Sequence, residues 1–204
     1  VAGELAEDAF KVRKIVPKSH RKATKVMCRD TALAVGAAAD AVDNAGLQTA
    51  ATGDETPTIS PDRVGCHIGA GLISSEVNEL GAALVTSKKE DGTFDLAHWG
   101  GEGMQNLTPL WLLKYLPNML ACHVTIVHDC QGPSNTITCC EASSGLSIAE
   151  SRRVIHRGDA DACLSGGAED RINPLALYRQ HCTGRLLESD GSGDMNTLVQ
   201  PFSE

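Results

Sequence analysis

Small and apolar residues recur along the chain at two periods, and the change from one to the other places its central elements. Ser134 to Cys140 (SNTITCC) is a run of β-branched and small residues after a Gly-Pro-Ser turn, the pattern of a strand. From Glu141 the spacing becomes helical. Ala142, Gly145, Leu146 and Ala149 fall on one face, with Glu150, Arg152 and Arg153 outside. Gly158 ends the helix, Asp159-Ala160-Asp161 turns the chain, and Ala162-Cys163-Leu164 opens a short buried strand. Strand, helix and strand in this order predict a right-handed βαβ crossover and an α/β fold. The first residues of that helix then lie just beyond a strand's carboxyl end, where free amides and the helix dipole favour an anion, a thiolate or an oxyanion.

The flanking pattern extends this unit. Asp30 or Thr31 is placed to cap a helix to about Asn44, with Ala32, Val35, Ala39 and Val42 as its stripe and Gly46 closing it. Arg63 to Ile68 reads as a strand ending in the Gly69-Ala70-Gly71-Leu72 turn, and Ile73 to Thr86 as a helix. Residues 88–107, rich in glycine and charge, look like an inserted excursion. Thr108-Pro109 opens a further helix with Leu110, Leu113, Tyr115, Leu116 and Met119 apolar, and Ala121 to Cys130 leads into the central strand. After Glu169 come Ile172-Asn173-Pro174-Leu175, a helical piece to His181 and a polar loop, Glu188 to Asn196.

Composition narrows the function classes. Aromatics are only 3% of the 204 residues, so the core is expected to be Ala, Val, Leu and Ile packed closely around glycine. A net charge of −8 without a basic stripe argues against nucleic acid as a partner. The first 27 residues are nonetheless locally basic (Lys11, Arg13, Lys14, Lys18, Arg21, Lys22, Lys25), either a solvated surface or a docking patch for an acidic partner. Of eight cysteines, Cys66, Cys139, Cys140 and Cys163 lie in strand-like segments and none forms a CxxC pair, so reduced cytoplasmic thiols serving as small hydrophobes are expected. No apolar run approaches the roughly 18 residues of a membrane span, and no secretory segment is visible. The chain opens without Met and stops in what reads as a loop, as part of a longer protein would.

Three motifs offer other chemistry. Gly69-Ala70-Gly71 begins a dinucleotide fingerprint, but Ser74 replaces its third glycine. Ser143, Ser144 and Ser147 follow a strand as in an α/β-hydrolase, but Ala142-Ser143-Ser144-Gly145 lacks the first glycine of the GxSxG elbow. His123 and His128 have no third ligand placed near them, so no metal is assigned.

The segment from Thr108 to Glu169 resembles the β-ketoacyl-acyl-carrier-protein synthases of fatty-acid synthesis and their polyketide relatives. The matching pieces are Asn118-Met119, Ala121, His123-Val124-Thr125-Ile126, Gly132-Pro133-Ser134, Gly158-Asp159-Ala160-Asp161, Gly166-Gly167-Ala168-Glu169 and Pro174-Leu175, with weaker likeness over Ala32 to Gly46, Val64 to Leu72 and Gln200-Pro201-Phe202. The resemblance implies a thiolase-like layered α/β/α/β/α fold, dimeric and cytoplasmic, acting on acyl chains carried by the phosphopantetheine of acyl carrier protein, with no other cofactor and no nucleic-acid or membrane partner. The dimer would be a homodimer or a heterodimer with another ketosynthase subunit. Residues 1–204 would hold most of the first half of that fold, without its opening strand and helix; the family keeps two catalytic histidines in the second half. Leu72 and Trp111 match positions at the acyl pocket, Trp111 reaching towards the pocket across the dimer or serving as an interface or core aromatic.

In that family the nucleophile is a cysteine at the strand-to-helix turn, nine positions after the Gly of GPS and seventeen before the Gly of GDAD. Counted from Gly132 and from Gly158, both spacings land on Glu141. The family's glycine three places later is Ser144 here. Cys140 is the alternative nucleophile, although adjacent strand residues point to opposite faces. A carboxylate at the nucleophile position forms no thioester-derived acyl-enzyme of use. It is held ionised by amides and dipole or protonated by burial, two opposed effects. Polyketide relatives with Gln at this place set the expectation: condensation lost or altered, leaving a malonyl-carrier decarboxylase or a chain-length-factor-like partner of an active ketosynthase. A helix cap in a degenerate site is the bland alternative.

Overall fold

Three parallel strands form the centre of the chain: β1 (Val64–Gly69), β2 (Ser134–Ile137) and β3 (Ala162–Gly167). The computed structural model describes residues 4–5, 10–53 and 56–186; the expected loop Glu188 to Asn196 and the Gln200-Pro201-Phe202 likeness lie outside them. The strand order is β2-β1-β3, with Gly69 level with Ile137 on one side and Gly167 on the other. The connection from β2 to β3 therefore passes over β1, and all three carboxyl ends reach the same edge.

Eight helices surround the sheet among the described residues: α1 (Val12–Ile15), α2 (Arg29–Asn44), α3 (Val77–Thr86), α4 (Leu96–His98), α5 (Trp111–Lys114), α6 (Met119–His128), α7 (Ser143–His156) and α8 (Pro174–Cys182). Helices α2 and α6 pack together on one face of the sheet and α7 covers the other. The resulting α/β/α layering is that of a thiolase-like first half. Side chains at alternate positions of β1 explain the division. Val64, Cys66 and Ile68 point into a core with Val35, Ala38, Leu120, Val124 and Val127, whereas Gly65, His67 and Gly69 face α7. Each fully buried Leu or Val of that core contributes about 1.5–3 kcal/mol.

Several expected boundaries move for identifiable reasons. Helix α2 begins at Arg29 with Cys28 as N-cap and no side-chain cap; Asp30 and Thr31 lie inside the first turn, buried. It ends as expected, with Gly46 at φ 64 and the Leu47 amide bonded to the Val42 carbonyl. Residues 70–76 are irregular, so α3 starts at Val77 rather than Ile73, whose side chain is instead buried in the core. The helix expected from Thr108 breaks into α5, one turn, and α6, because Pro117 lacks an N–H and disfavours helix before it. Helix α6 is predominantly apolar and mostly buried, which suits its position between α2 and the sheet. The excursion at 88–107 folds onto α3 as a Lys88–Phe94 bridge, α4 and a π-turn at Trp99–Gly103. Helix α8 follows its signals closely: Pro174 is in the first turn and the side-chain Oδ1 of Asn173, the N-cap, accepts the Ala176 amide at 2.9 Å.

The buried face of α7 is not the expected one. Ser143, Ser147, Ser151 and Val154 face the sheet, while Ala142, Gly145 and Leu146 are exposed. Large side chains cannot fit there. A Cβ on Gly69 would lie 2.5 Å from the Ser144 nitrogen, and one on Gly167 would lie 2.8 Å from the Ser144 Cβ. Small helix residues over small strand residues bring the helix start onto the strand ends. All eight cysteines are free thiols. Cys28, Cys66 and Cys130 are buried, and burial pushes Cys66 up to about 12, but Cys139 and Cys140 are exposed rather than core residues. No helix among the described residues is long and apolar enough to cross a membrane.

Candidate active site at the start of helix α7

Strand β2 stops at Ile137, so residues 138–142 form a turn rather than the end of a strand. Its fastening is local. The Ser143 hydroxyl accepts the Cys139 amide at 2.8 Å and donates to the Cys140 carbonyl at 2.6 Å, while the Ala142 amide donates to the Cys139 carbonyl. Cys140 sits in the left-handed region at φ 47, a conformation costing a non-glycine residue about 1–2 kcal/mol. The Ser147 hydroxyl bonds the Ser144 and Gly166 carbonyls at 2.7 and 2.8 Å, tying the helix to β3. These serines serve the backbone, and neither is paired with a histidine, so the hydrolase reading finds no support.

Above the strand ends this turn borders a depression of about 210 Å³, lined by Gly69, Ala70, Gly71, Cys140, Glu141, Ser143, Ser144, Gly167, Ala168 and Glu169. The Gly69-Ala70-Gly71 glycines are thereby explained as close packing: Gly69 lies under the helix start and Gly71 against Glu169. Cys140 and Glu141 both line the depression. The alternation that would turn the Cys140 sulfur away does not apply, because neither residue belongs to β2.

Glu141 is 59% exposed at its side chain and accepts from Arg185 Nη1 at 2.6 Å and Arg171 Nη1 at 3.5 Å. Its own backbone amide first, then Arg185 and Arg171, hold its carboxyl below the usual carboxylate range. Of the two opposed effects expected at this position, ionisation prevails. Arg171 also pairs with Glu169 through Nε at 2.7 Å, so one guanidinium bridges two carboxylates of the rim.

The remaining candidates lie apart from the depression. Leu72 follows Gly71, is exposed and does not line it. Trp111 opens α5, half-buried, with its ring tilted 53° to that of Tyr115 at 5.5 Å between centroids and packed against the core. His123 is buried with both ring nitrogens unpartnered, and His128 bonds Thr49 Oγ1 at 2.9 Å, burial lowering it to about 4. Among the described residues no three metal-ligating side chains come together. Sequence reading missed Arg171, Arg185 and Glu169, which nothing in local spacing links to Glu141. The serine face was visible as an i, i+4, i+8 repeat of small residues.

A layered parallel α/β unit with its candidate site in a strand-to-helix turn, over glycines at the strand ends, is the arrangement of a ketosynthase-like member of the thiolase-like folds. The chain belongs to the β-ketoacyl synthase family, whose N-terminal domain model matches residues 1–197. It is 30% identical to 3-oxoacyl-[acyl-carrier-protein] synthase 2 of Staphylococcus aureus strain N315 over 207 aligned positions, covering 100% of this chain and 42% of that protein. The mitochondrial 3-oxoacyl-[acyl-carrier-protein] synthase of Arabidopsis thaliana is 29% identical over 57% of the chain and 22% of its own length. The chain thus spans under half the length of these curated relatives. Among solved structures, a type II polyketide ketosynthase in complex with its acyl-carrier protein matches with a TM-score of 0.68 at 16% identity, over 88% of this chain and 44% of that one. A β-ketoacyl synthase from Burkholderia phymatum STM815 matches at 0.62 and 24%, over 82% and 36%, and the ishigamide ketosynthase/chain length factor at 0.59 and 21%, over 89% and 43%. At those identities the structural matches establish fold.

Proposed function

We propose that this chain is the N-terminal portion of a ketosynthase-like protein of fatty-acid or polyketide synthesis, handling malonyl or acyl groups on acyl carrier protein, in which Glu141 has replaced condensation by decarboxylation. The observation that carries this reading is the ionised Glu141 carboxylate in the strand-to-helix turn, at the rim of the depression. A carboxylate attacking a thioester would give a mixed anhydride that water destroys, so no durable acyl-enzyme forms through it. Decarboxylation needs no nucleophile. The bond from the α-carbon to the malonyl carboxylate breaks, carbon dioxide leaves, and the electron pair stays as a thioester enolate that takes a proton from water. The Ala142 and Ser143 amides are bonded to the Cys139 and Cys140 carbonyls, so any amide donor for the enolate oxygen would come from the helix start beyond them. Exposed Lys11, Arg13, Lys14, Lys18, Lys22 and Lys25 offer an acidic carrier protein a local positive surface on an otherwise anionic chain.

The partner-subunit reading has its own support. Glu141 is turned to Arg185 and Arg171, as a structural carboxylate would be, and Ile148 and Ile155 give α7 an exposed apolar flank suited to a covering subunit or domain. In this reading the protein shapes the acyl pocket of an active ketosynthase, as a homodimer or heterodimer. Condensation through Cys140, which also lines the depression, is the third reading.

Full-length protein given malonyl-carrier separates them. Carbon dioxide release that survives Cys140→Ala and Glu141→Gln supports the decarboxylase; no release, alone or beside a competent synthase, rejects it. In a Cys140→Ala background, Glu141→Cys is expected to take up one equivalent of a thiol-directed condensing-enzyme inhibitor, which identifies the depression as the former nucleophile site.

A further inference from the structure

Among the described residues Asp30 is the one carboxyl group that is buried, at 2% exposure. It does not cap the helix it opens. Its Oδ1 instead accepts the amide N–H of Asp170 at 2.9 Å, joining α2 to the loop after β3 across 140 positions of sequence. That loop is self-braced: the Asp170 side chain accepts the Ile172 amide at 3.1 Å, and its carbonyl accepts Asn173 Nδ2 at 3.4 Å. Glu169 and Arg171, on either side of the anchored amide, make the ion-pair chain that ends on Glu141. Glu169 lines the 210 Å³ depression, and Glu169, Asp170 and Arg171 also border a neighbouring groove of about 810 Å³. The anchored segment is the partition between the two.

We propose that Asp30 is a positioning residue for the Glu141 site: acting on the Asp170 amide, it sets where Arg171 stands, and protonation of Asp30 loosens that hold. An ionised carboxylate is the stronger acceptor for an amide. The groups around it favour its titration in the range that matters. Burial, then the charges of Asp170 and Glu169, push Asp30 up to about 6, against the pull of the Asp170 amide. On its own side, Cys28 is a raised thiol and Arg29 donates to the Leu5 carbonyl at 2.7 Å. Arg171 is occupied by Glu169 and Glu141. Of the titratable groups on the other helices packed on α2, Arg13 and Lys14 of α1 and His123 and His128 of α6 form no ion pair or hydrogen bond with Asp30.

The inference rests on Glu141 belonging to the site and is independent of decarboxylation, so its test reads charge and position rather than turnover. Carboxyl-carbon NMR of the full chain, labelled at Asp and Glu, is followed from pH 4 to 8. Asp30 is expected to titrate near 6, and the Glu141 resonance to show a second inflection at that pH beyond its own acidic one. Asp30→Asn keeps an oxygen acceptor but cannot ionise, and should abolish the second inflection while the thermal transition stays cooperative. Asp30→Leu should shift the Glu141 midpoint upward as Arg171 is released. A Glu141 titration with one inflection in the wild type, or a second one that persists in Asp30→Asn, overturns the proposal. Should Asp30→Leu not fold, the Asn variant decides alone.

Discussion

Strand β1 meets two different neighbours on its two faces. Towards α2 and α6 it presents Val64, Cys66 and Ile68 to Leu120, Val124 and Val35, a layer that coheres by volume of apolar side chain. Towards α7 it presents Gly65, His67 and Gly69 to Ser143, Ser147 and Ser151, a layer that coheres by closeness, with hydroxyls satisfied on carbonyls and on His67. The first face stabilises the domain. The second brings a helix start, and with it Glu141, within reach of the strand ends, so the candidate site lies on the face with the least to bury.

Truncation on the voluminous face should have the largest effect. Leu120→Ala leaves a cavity in a fully buried site and is expected to lower unfolding stability by about 3–4 kcal/mol in denaturant titration, without changing the Glu141 titration. On the close face enlargement should hurt instead. Gly69→Ala puts a methyl 2.5 Å from the Ser144 nitrogen and 2.6 Å from the Ser143 carbonyl oxygen, costing about 2–3 kcal/mol and displacing the α7 start from the depression. A Gly69→Ala protein with wild-type stability would break the contrast.

Asp30 is the carboxyl group buried at the edge of the apolar layer, and its sign is opposite. Its folded-state value, about 6, lies above the ordinary one, 3.8, so the folded protein retains the proton between them. The stability this gives is fully present below about pH 4 and lost as pH rises through 6. Asp30→Asn should therefore stabilise the protein by about 3 kcal/mol at pH 7 and flatten its stability between pH 4 and 6. The smallest effect is expected at Leu146, which is 42% exposed on α7; Leu146→Ala should change stability by no more than about 0.5 kcal/mol. A loss of several kcal/mol there would restore the helix face that apolar spacing alone predicts.

The strand, turn and helix order, the glycine stops at Gly46 and Gly158, the helical piece after Pro174 and the register that puts Glu141 after Gly132 were all legible, because each depends on residues a few places apart. The face of α7 was misjudged because periodicity ranks residues by apolarity, whereas the sheet below it selects by size. Pro117 was present in the sequence as a break and outweighs the apolar spacing around it.

By itself, then, the sequence determined the family, the layered α/β architecture and the acid at the turn, since local backbone preference and fixed spacing are carried by neighbours in the chain. Tertiary structure alone decided what that acid pairs with: Arg185, 44 positions away, and Arg171, 30 away and braced through an amide held by Asp30, meet it only once the strands are paired. Charge pairing follows distance in space, and no local pattern encodes which remote guanidinium the fold will bring near.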